Sequence, residues 1–428
     1  MSWANMASFG LELEFLVAVA RDNQRITVPA MFQRSSGGPL FVPSRTAPSQ
    51  IVEAFQPMMR RAITNALNGF KGKRVISTGQ NNQPYKHWAV EVDTSVLFPK
   101  ELRSLPHMND YTWQPVEITS PALWDDASSW REIKLVVDAI ARDFWVLTPE
   151  TAGIHFHYGN GVEYIPFFEL RRLGAFFFAA DPILCQLHPP HRRNNMFCAS
   201  NRLYSYIARG ETPDEAHSPW VEAPPEVRNT ANEKHTRSPK RHNFPIKRGT
   251  LTGYISRNLF SADSDSEDGE APAIKDIPGA VAEILRSTNA PTVAELMSSK
   301  PLDLDERMAY NFNNYRQSRY RPSAGSDARN GALLTPGMTG GQKRTIEFRQ
   351  IASTADSAEI IAHGKAIIRL CEFAKTASLQ DLWTIVLDCA VSETNRDWFD
   401  VFDLLLKLNL HEEAQVLARA VARFHRPG

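Results

Sequence analysis

Phe9-Gly-Leu-Glu-Leu-Glu-Phe15 is the stretch on which the fold turns. A strand places alternate side chains on opposite faces, so Leu11, Leu13 and Phe15 share one face and Glu12 and Glu14 the other. The same period of two recurs four times downstream. In Trp88-Ala-Val-Glu-Val-Asp-Thr-Ser95, Trp88, Val90 and Val92 oppose Glu91, Asp93 and Ser95. In Val116-Glu-Ile-Thr-Ser-Pro121, Val116 and Ile118 oppose Glu117 and Thr119. In Gly153-Ile-His-Phe-His157 the polar face carries His155 and His157, and in Thr345-Ile-Glu-Phe-Arg349 it carries Glu347 and Arg349. Strands are therefore expected at 9–19, 88–98, 115–120, 153–159 and 345–351.

Each motif alone has an ordinary reading. Glu-x-Glu is a wet outer face, His-x-His a metal pair or a packed pair, and Glu-x-Arg a surface ion pair. In one sheet, however, the polar face holds six carboxylates, two histidines and one arginine. Like charges on neighbouring strands destabilise a sheet unless water spreads them apart or cations neutralise them. Carboxylate oxygens with an occasional imidazole suit Mg²⁺ or Mn²⁺. A multi-acid face holding such ions is what phosphoryl transfer requires, with Arg349 as a counter-charge. The sequence has no Gly-x-x-x-x-Gly-Lys-Ser/Thr loop, no Gly-x-Gly-x-x-Gly after a strand and no Gly-x-Ser-x-Gly elbow. A small metal-binding β-barrel using His155, His157 and Glu163 would leave the other strands unexplained.

Composition fits a folded enzyme. Lys plus Arg and Asp plus Glu are both 48, which argues against a nucleic-acid or membrane-surface binder. With 43% hydrophobic residues in 428, a sizeable core is affordable. The thiols Cys185, Cys198, Cys371 and Cys389 form no C-x-x-C pair and read as reduced and packed. The early apolar run, residues 15–20, is shorter than a secretory or membrane segment needs, so a cytoplasmic location is expected. Helices are expected at 51–70, from Ser128 or Ser129 to 144, and at 166–180. From 358 onward helical patterns dominate, with starts near Ser378, Asp397 and His411. Two segments look like mobile insertions: 209–249, with six prolines, and 261–271, where five acids fall in ten residues. The expected organisation is a catalytic domain at 1–375 and a helical appendage at 376–428, docked through Leu379, Trp383, Phe399 and Phe402.

The ordered set of five motifs resembles the amidoligase family found widely in fungi, within the carboxylate–amine ligases that share the glutamine synthetase catalytic fold. The resemblance covers residues 8–375 apart from the two insertions. It implies an α+β fold: a curved, mainly antiparallel sheet with flanking helices, ATP at one end of a funnel and divalent ions between nucleotide and carboxylate. By the same resemblance Glu12 and Glu14 divide between two metal sites, Glu117 joins the first, and His155 and Glu347 join the second. Arg349 meets phosphate, Asp93 holds or deprotonates the amine, and Ser95 and His157 face substrate. Arg192 and Arg193, after His188-Pro-Pro-His191, are either ligands for a substrate anion or charges at a helix end. Nothing in the sequence resembles the separate β-grasp domain of glutamine synthetase, and the sequence departs from the family in its turn Ile351-Ala-Ser-Thr354, where a His and a Glu are usual.

The function implied is an ATP-dependent ligase that joins a small-molecule or peptide carboxylate to an amine through an acyl phosphate. Its cofactors would be ATP and Mg²⁺ or Mn²⁺, with no nucleic acid or membrane as partner. A phosphotransferase on the same fold and an inactive scaffold binding a nucleotide or protein are the alternatives. Loops at 33–49, 77–86 and 325–343 are where substrate choice is expected to lie.

Overall fold

The alternating motif at Phe9–Phe15 becomes the middle of a long strand, β1 (Ser8–Arg21), buried without interruption from Leu11 to Ala20. The structure is a computed structural model and describes residues 7–68, 86–216, 243, 244, 246, 275–299, 307–316 and 344–424. The remaining strands are β2 (Leu40–Val42), β3 (Ala89–Glu91), β4 (Thr112–Thr119), β5 (Leu123–Trp124), β6 (Val146–Leu147), β7 (Gly153–Gly159), β8 (Tyr310–Asn311) and β9 (Thr345–Ala352). The helices are α1 (Ile51–Ala66), α2 (Ala127–Asp143), α3 (Phe167–Leu184), α4 (Pro190–Arg193), α5 (Asn201–Tyr204), α6 (Ile277–Arg286), α7 (Ala290–Leu296), α8 (Ser357–Thr376), α9 (Leu379–Thr394), α10 (Val401–Lys407) and α11 (His411–Phe424). Two compact units divide the chain: 1–157 with 350–365, and 158–349 with 366–428. The boundary falls within β7, β9 and α8.

In the first unit the strand order is β3-β4-β1-β7-β9. β4 runs antiparallel to β1, with Glu12 opposite Thr119 and Glu14 opposite Glu117, and β3 runs antiparallel to β4. The short strands β5 and β6 add antiparallel pairs to β1, whereas β2 adds a parallel one. The apolar face lies against α2, where Leu13 and Phe15 meet Val137 and Ile140 around a small pocket. Phe9 stacks between Trp130 of α2 (4.4 Å between centroids) and Phe156 of β7 (5.2 Å). On α1, Phe55, Met59 and Ile63 are fully buried, and Gln56 Nε2 donates to Val90 O at 3.1 Å. β1 is buried on its other face too. Beyond Glu14, the side chains of Leu16, Ala18 and Ala20 enter a second core with Phe32, Met108 and Trp145.

In the second unit the first part of β9 pairs with β8, Tyr310 opposite Phe348 and Asn311 opposite Glu347. Phe348 packs on Phe177 of α3 at 4.8 Å, and α6, α7 and α9 cover α3. Helix α9 is capped by Ser378 Oγ, which accepts from Asp381 N at 3.0 Å. Asp400 and Asp403 form a reciprocal capping box at the start of α10.

Several expectations need correction. The strand expected at 88–98 stops at Glu91, because Asp93 turns the chain: its Oδ1 accepts from Ser95 N at 2.8 Å and its carbonyl from Val96 N at 3.2 Å. Helix α2 is capped by Asp126, not Ser128 or Ser129: Ser129 N donates to Asp126 Oδ1 at 2.7 Å, and Glu132 instead accepts from Trp88 Nε1 at 2.9 Å. Asp397 starts no helix. Trp383, Phe399 and Phe402 are buried as expected, but Leu379 stays 48% exposed. The insertion 261–271 lies outside the described residues, as do most of 209–249 and of the loops at 77–86 and 325–343. Within 209–249, the Phe244 ring packs 5.2 Å from that of Phe402, and Ile246 is buried. No described helix is long and apolar enough to cross a membrane. All four cysteines are free and buried.

Candidate active site

Pairing β1 with β4 in this register sets Glu14 directly opposite Glu117, and β3 sets Glu91 opposite Glu117 from the other side. Glu91 is exposed at the sheet edge, whereas Glu14 is 4% exposed and Glu117 half-buried. The turn after β3 swings Asp93 back to this pair. Glu14, Asp93 and Glu117 then each offer a carboxylate oxygen within 4.8 Å of the other two. Three acids this close are a costly arrangement in a sheet unless a cation sits among them.

Glu12 and Glu14 are not a wet outer face: they are only 8% and 4% exposed. His155 Nδ1 lies 3.1 Å from Glu12 Oε2 and its Nε2 lies 3.4 Å from Glu14 Oε1, so one imidazole bridges the two glutamates. His157 Nε2 sits 3.1 Å from Glu12 Oε1. Glu14 is held further. Its Oε2 accepts from Gly153 N at 2.7 Å, and its backbone carbonyl accepts from the Ser353 hydroxyl. Glu117 Oε1 accepts from Thr119 Oγ1 at 3.0 Å. Six of the residues singled out from sequence, Glu12, Glu14, Asp93, Glu117, His155 and His157, thus share one face of the first unit. Ser95 serves as the backbone donor that fixes the Asp93 carboxylate.

In the second unit, Glu347 and Arg349 pair with each other on β9, and Glu347 Oε2 also accepts from Asn311 Nδ2 at 3.1 Å. Arg349 Nε donates to Phe197 O at 3.1 Å, and the Arg192 guanidinium donates to the Arg349 carbonyl. Arg192 and Arg193 are each 1% exposed, which overturns the reading of helix-end surface charges. Arg193 Nε donates to His188 O at 2.9 Å, and burial draws its guanidinium below its ordinary pKa. Cys198 donates to Arg192 O at 3.1 Å; burial pushes its thiol up despite the nearby Arg192 and Arg349, leaving it neutral.

Four supporting groups were not singled out in the sequence: Gly153 N, Ser353, Asn311 and Asp181. Asp181 is wholly buried in α3 and accepts from Ser200 Oγ (2.7 Å) and Arg202 N (2.9 Å). An aspartate inside the apolar run Phe176–Leu184 was the available signal. A backbone amide or a two-residue strand leaves none.

Residues 5–244, more than half of the chain, match the model of a family described as "Putative amidoligase enzyme". No curated protein matches the chain, and no solved structure does.

Proposed function

The chain belongs to the amidoligase family, a family of ligase-type enzymes, and on that premise we propose that it joins a carboxylate to an amine, driven by ATP through an acyl phosphate. The observation that carries this reading is the convergence of Glu14, Asp93 and Glu117 within 4.8 Å. An all-oxygen donor set with high negative charge suits Mg²⁺ or Mn²⁺ and not a structural zinc. Glu14, Asp93 and Glu117 would hold one ion, and by the family resemblance Glu12 and His155 would serve a second. A bound divalent ion supplies charge neutralisation for phosphate and carboxylate oxygens.

The chain's own groups do the positioning. His155 fixes the spacing of Glu12 and Glu14, and Gly153 N fixes the rotamer of Glu14, so the donor set is formed before anything binds. Asp93 is held by the Ser95 amide on a half-buried turn. From there its carboxylate can take the proton that an ammonium must lose before it attacks. Glu347 and Arg349 enter the proposal through the family resemblance, as a further metal ligand and a phosphate counter-charge. The glutamine synthetase type of sheet enters in the same way.

A substrate screen by mass spectrometry with ATP and Mg²⁺ tests the reading. ADP with an amide that requires added amine is expected. AMP release contradicts it, a stable phosphorylated product indicates a phosphotransferase, and no turnover with metal retained indicates an inactive scaffold.

A further inference from the structure

Two turns meet beside the converging acids of the first unit. After β3 the chain turns at Asp93, whose carbonyl accepts from Val96 N at 3.2 Å and whose Oδ1 accepts from Ser95 N at 2.8 Å. Between β6 and β7 a second turn closes where Ala152 N donates to Pro149 O at 2.9 Å. A side chain joins them: the Thr151 hydroxyl accepts from Leu97 N at 2.9 Å. The neighbours in sequence, Val96 and Ala152, are both buried in the second core.

The same turn grips Glu14. Gly153 N donates to Glu14 Oε2 at 2.7 Å, and Ala152 O accepts from Ser353 N at 3.4 Å, while the Ser353 hydroxyl donates to the Glu14 carbonyl. Glu14 is thus tied at both its carboxylate and its backbone to residues 152–153. Glu117 needs no such tie, because the β1–β4 register sets it opposite Glu14. Asp93 differs: it lies beyond the end of β3, so no strand pairing fixes its distance from Glu14. The hydrogen bond from Leu97 to Thr151 supplies that constraint.

Mg²⁺ holds its donors at about 2.0–2.1 Å in a near-ideal octahedron and keeps several waters, whereas Ca²⁺ takes about six to eight oxygens at about 2.3–2.6 Å in a flexible shell. Three carboxylates within 4.8 Å of one another suit the smaller ion only while their spacing is held, since a misplaced ligand costs an octahedral ion more than a flexible one. On the metal-holding reading of Glu14, Asp93 and Glu117, we propose that Thr151 is a positioning residue that makes this site prefer Mg²⁺ and Mn²⁺ to Ca²⁺. Thr151 acts through the Leu97 amide on the turn that carries Asp93, and Ser353 holds the Glu14 side of the same tether. Loosening that turn weakens binding of the octahedral ions and leaves Ca²⁺ nearly unaffected.

Mn²⁺ binding to the full chain, followed by electron paramagnetic resonance and competed with Mg²⁺ or Ca²⁺, tests the assignment. In the parent, Mg²⁺ is expected to displace Mn²⁺ at concentrations at least tenfold below those that Ca²⁺ needs. Thr151→Val keeps the shape but removes the acceptor. It should lower affinity for Mn²⁺ and Mg²⁺ about tenfold, the scale on which losing a ligand's outer partner acts, and bring the Mg²⁺ and Ca²⁺ concentrations together. Thr151→Ser, which retains a hydroxyl, should restore the preference, and Ser353→Ala should erode it as Thr151→Val does. Leu97 is 58% exposed, so its amide turns to water in Thr151→Val and the unfolding midpoint in EDTA should match the parent's. Undiminished discrimination in Thr151→Val, no recovery in Thr151→Ser, or a parent that binds Ca²⁺ as well as Mg²⁺ would each overturn the proposal while Mn²⁺ binding stands. So would a lowered midpoint with Ca²⁺ affinity falling in step with Mg²⁺, the mark of a merely structural role. A parent with no saturable Mn²⁺ binding would overturn the metal-holding reading as well.

Discussion

Replacing Glu117 by glutamine removes one of three converging charges while keeping shape and the hydrogen bond from Thr119. Two unit charges at the 4.8 Å limit interact by about 3 kcal/mol at an effective dielectric near ~20. Glu117 faces two such partners, Glu14 and Asp93, but it and Asp93 are half-buried, so solvent and salt take much of this away. In EDTA, Glu117→Gln is therefore expected to be more stable than the parent by about 1–2 kcal/mol. Millimolar Mg²⁺ should reverse the order. An ion at a hundred times its dissociation constant stabilises the parent by about 2.7 kcal/mol, and the variant gains less. Urea titrations of both proteins, each in EDTA and in Mg²⁺, give the four midpoints required. A variant less stable in EDTA, or a parent indifferent to Mg²⁺, would refute the idea that these acids repel one another until an ion joins them.

Further outcomes follow from single contacts. Burial pulls the His363 imidazole from 6.5 down to about 4. Above pH 6.5 native and unfolded chains both hold it neutral. As pH falls towards 4 only the unfolded chain takes the proton, so on the order of 3 kcal/mol of stability is lost across that window. His363→Gln should remove this part of the acid slope in urea titrations at stepped pH; an unchanged slope would contradict the assignment. A Cβ on Gly364 would sit 2.8 Å from ring carbons of Phe156 and Trp130, both locked in the core, so Gly364→Ala should cost about 1–3 kcal/mol. A neutral result would mean that α8 can shift freely. Asp93→Asn removes a ligand of the proposed ion together with the amine's proton acceptor, so it should weaken Mn²⁺ binding and lower the amide formed per ADP released; an unchanged ratio of amide to ADP would remove Asp93 from amine activation.

The alternation of apolar and acidic residues was enough to place Glu12, Glu14, Glu117, His155 and His157 on a common face, because a period of two admits only two registers and one would bury Glu against α2. It did not reveal that this face is itself buried. That follows from Leu16, Ala18 and Ala20, whose second core closes over the far end of β1, and from loop segments with no period of their own. The short reach of β3 was hidden because Val92, Asp93 and Ser95 keep up the alternation although the strand ends at Glu91 and Asp93 turns the chain. The cap of α2 was off by two or three residues for a local reason: Asp126, Ser128 and Ser129 all suit the position, and only the backbone angle at Asp126 decides. For Arg192 and Arg193 the choice between anion ligands and helix-end charges stayed open, since a sequence shows charge but not the carbonyls of His188 and Arg349 that receive it. Phe244 and Ile246 were masked by the polar run around them.

Mn²⁺ binding followed by electron paramagnetic resonance on the full chain tests the metal-holding role of the acidic face most directly. Saturable Mn²⁺ binding is expected, weakened at least tenfold in Glu14→Gln and in Glu117→Gln and competed by Mg²⁺. Absence of saturable binding, or equal affinity in parent and both variants, would contradict a cation site at Glu14, Asp93 and Glu117.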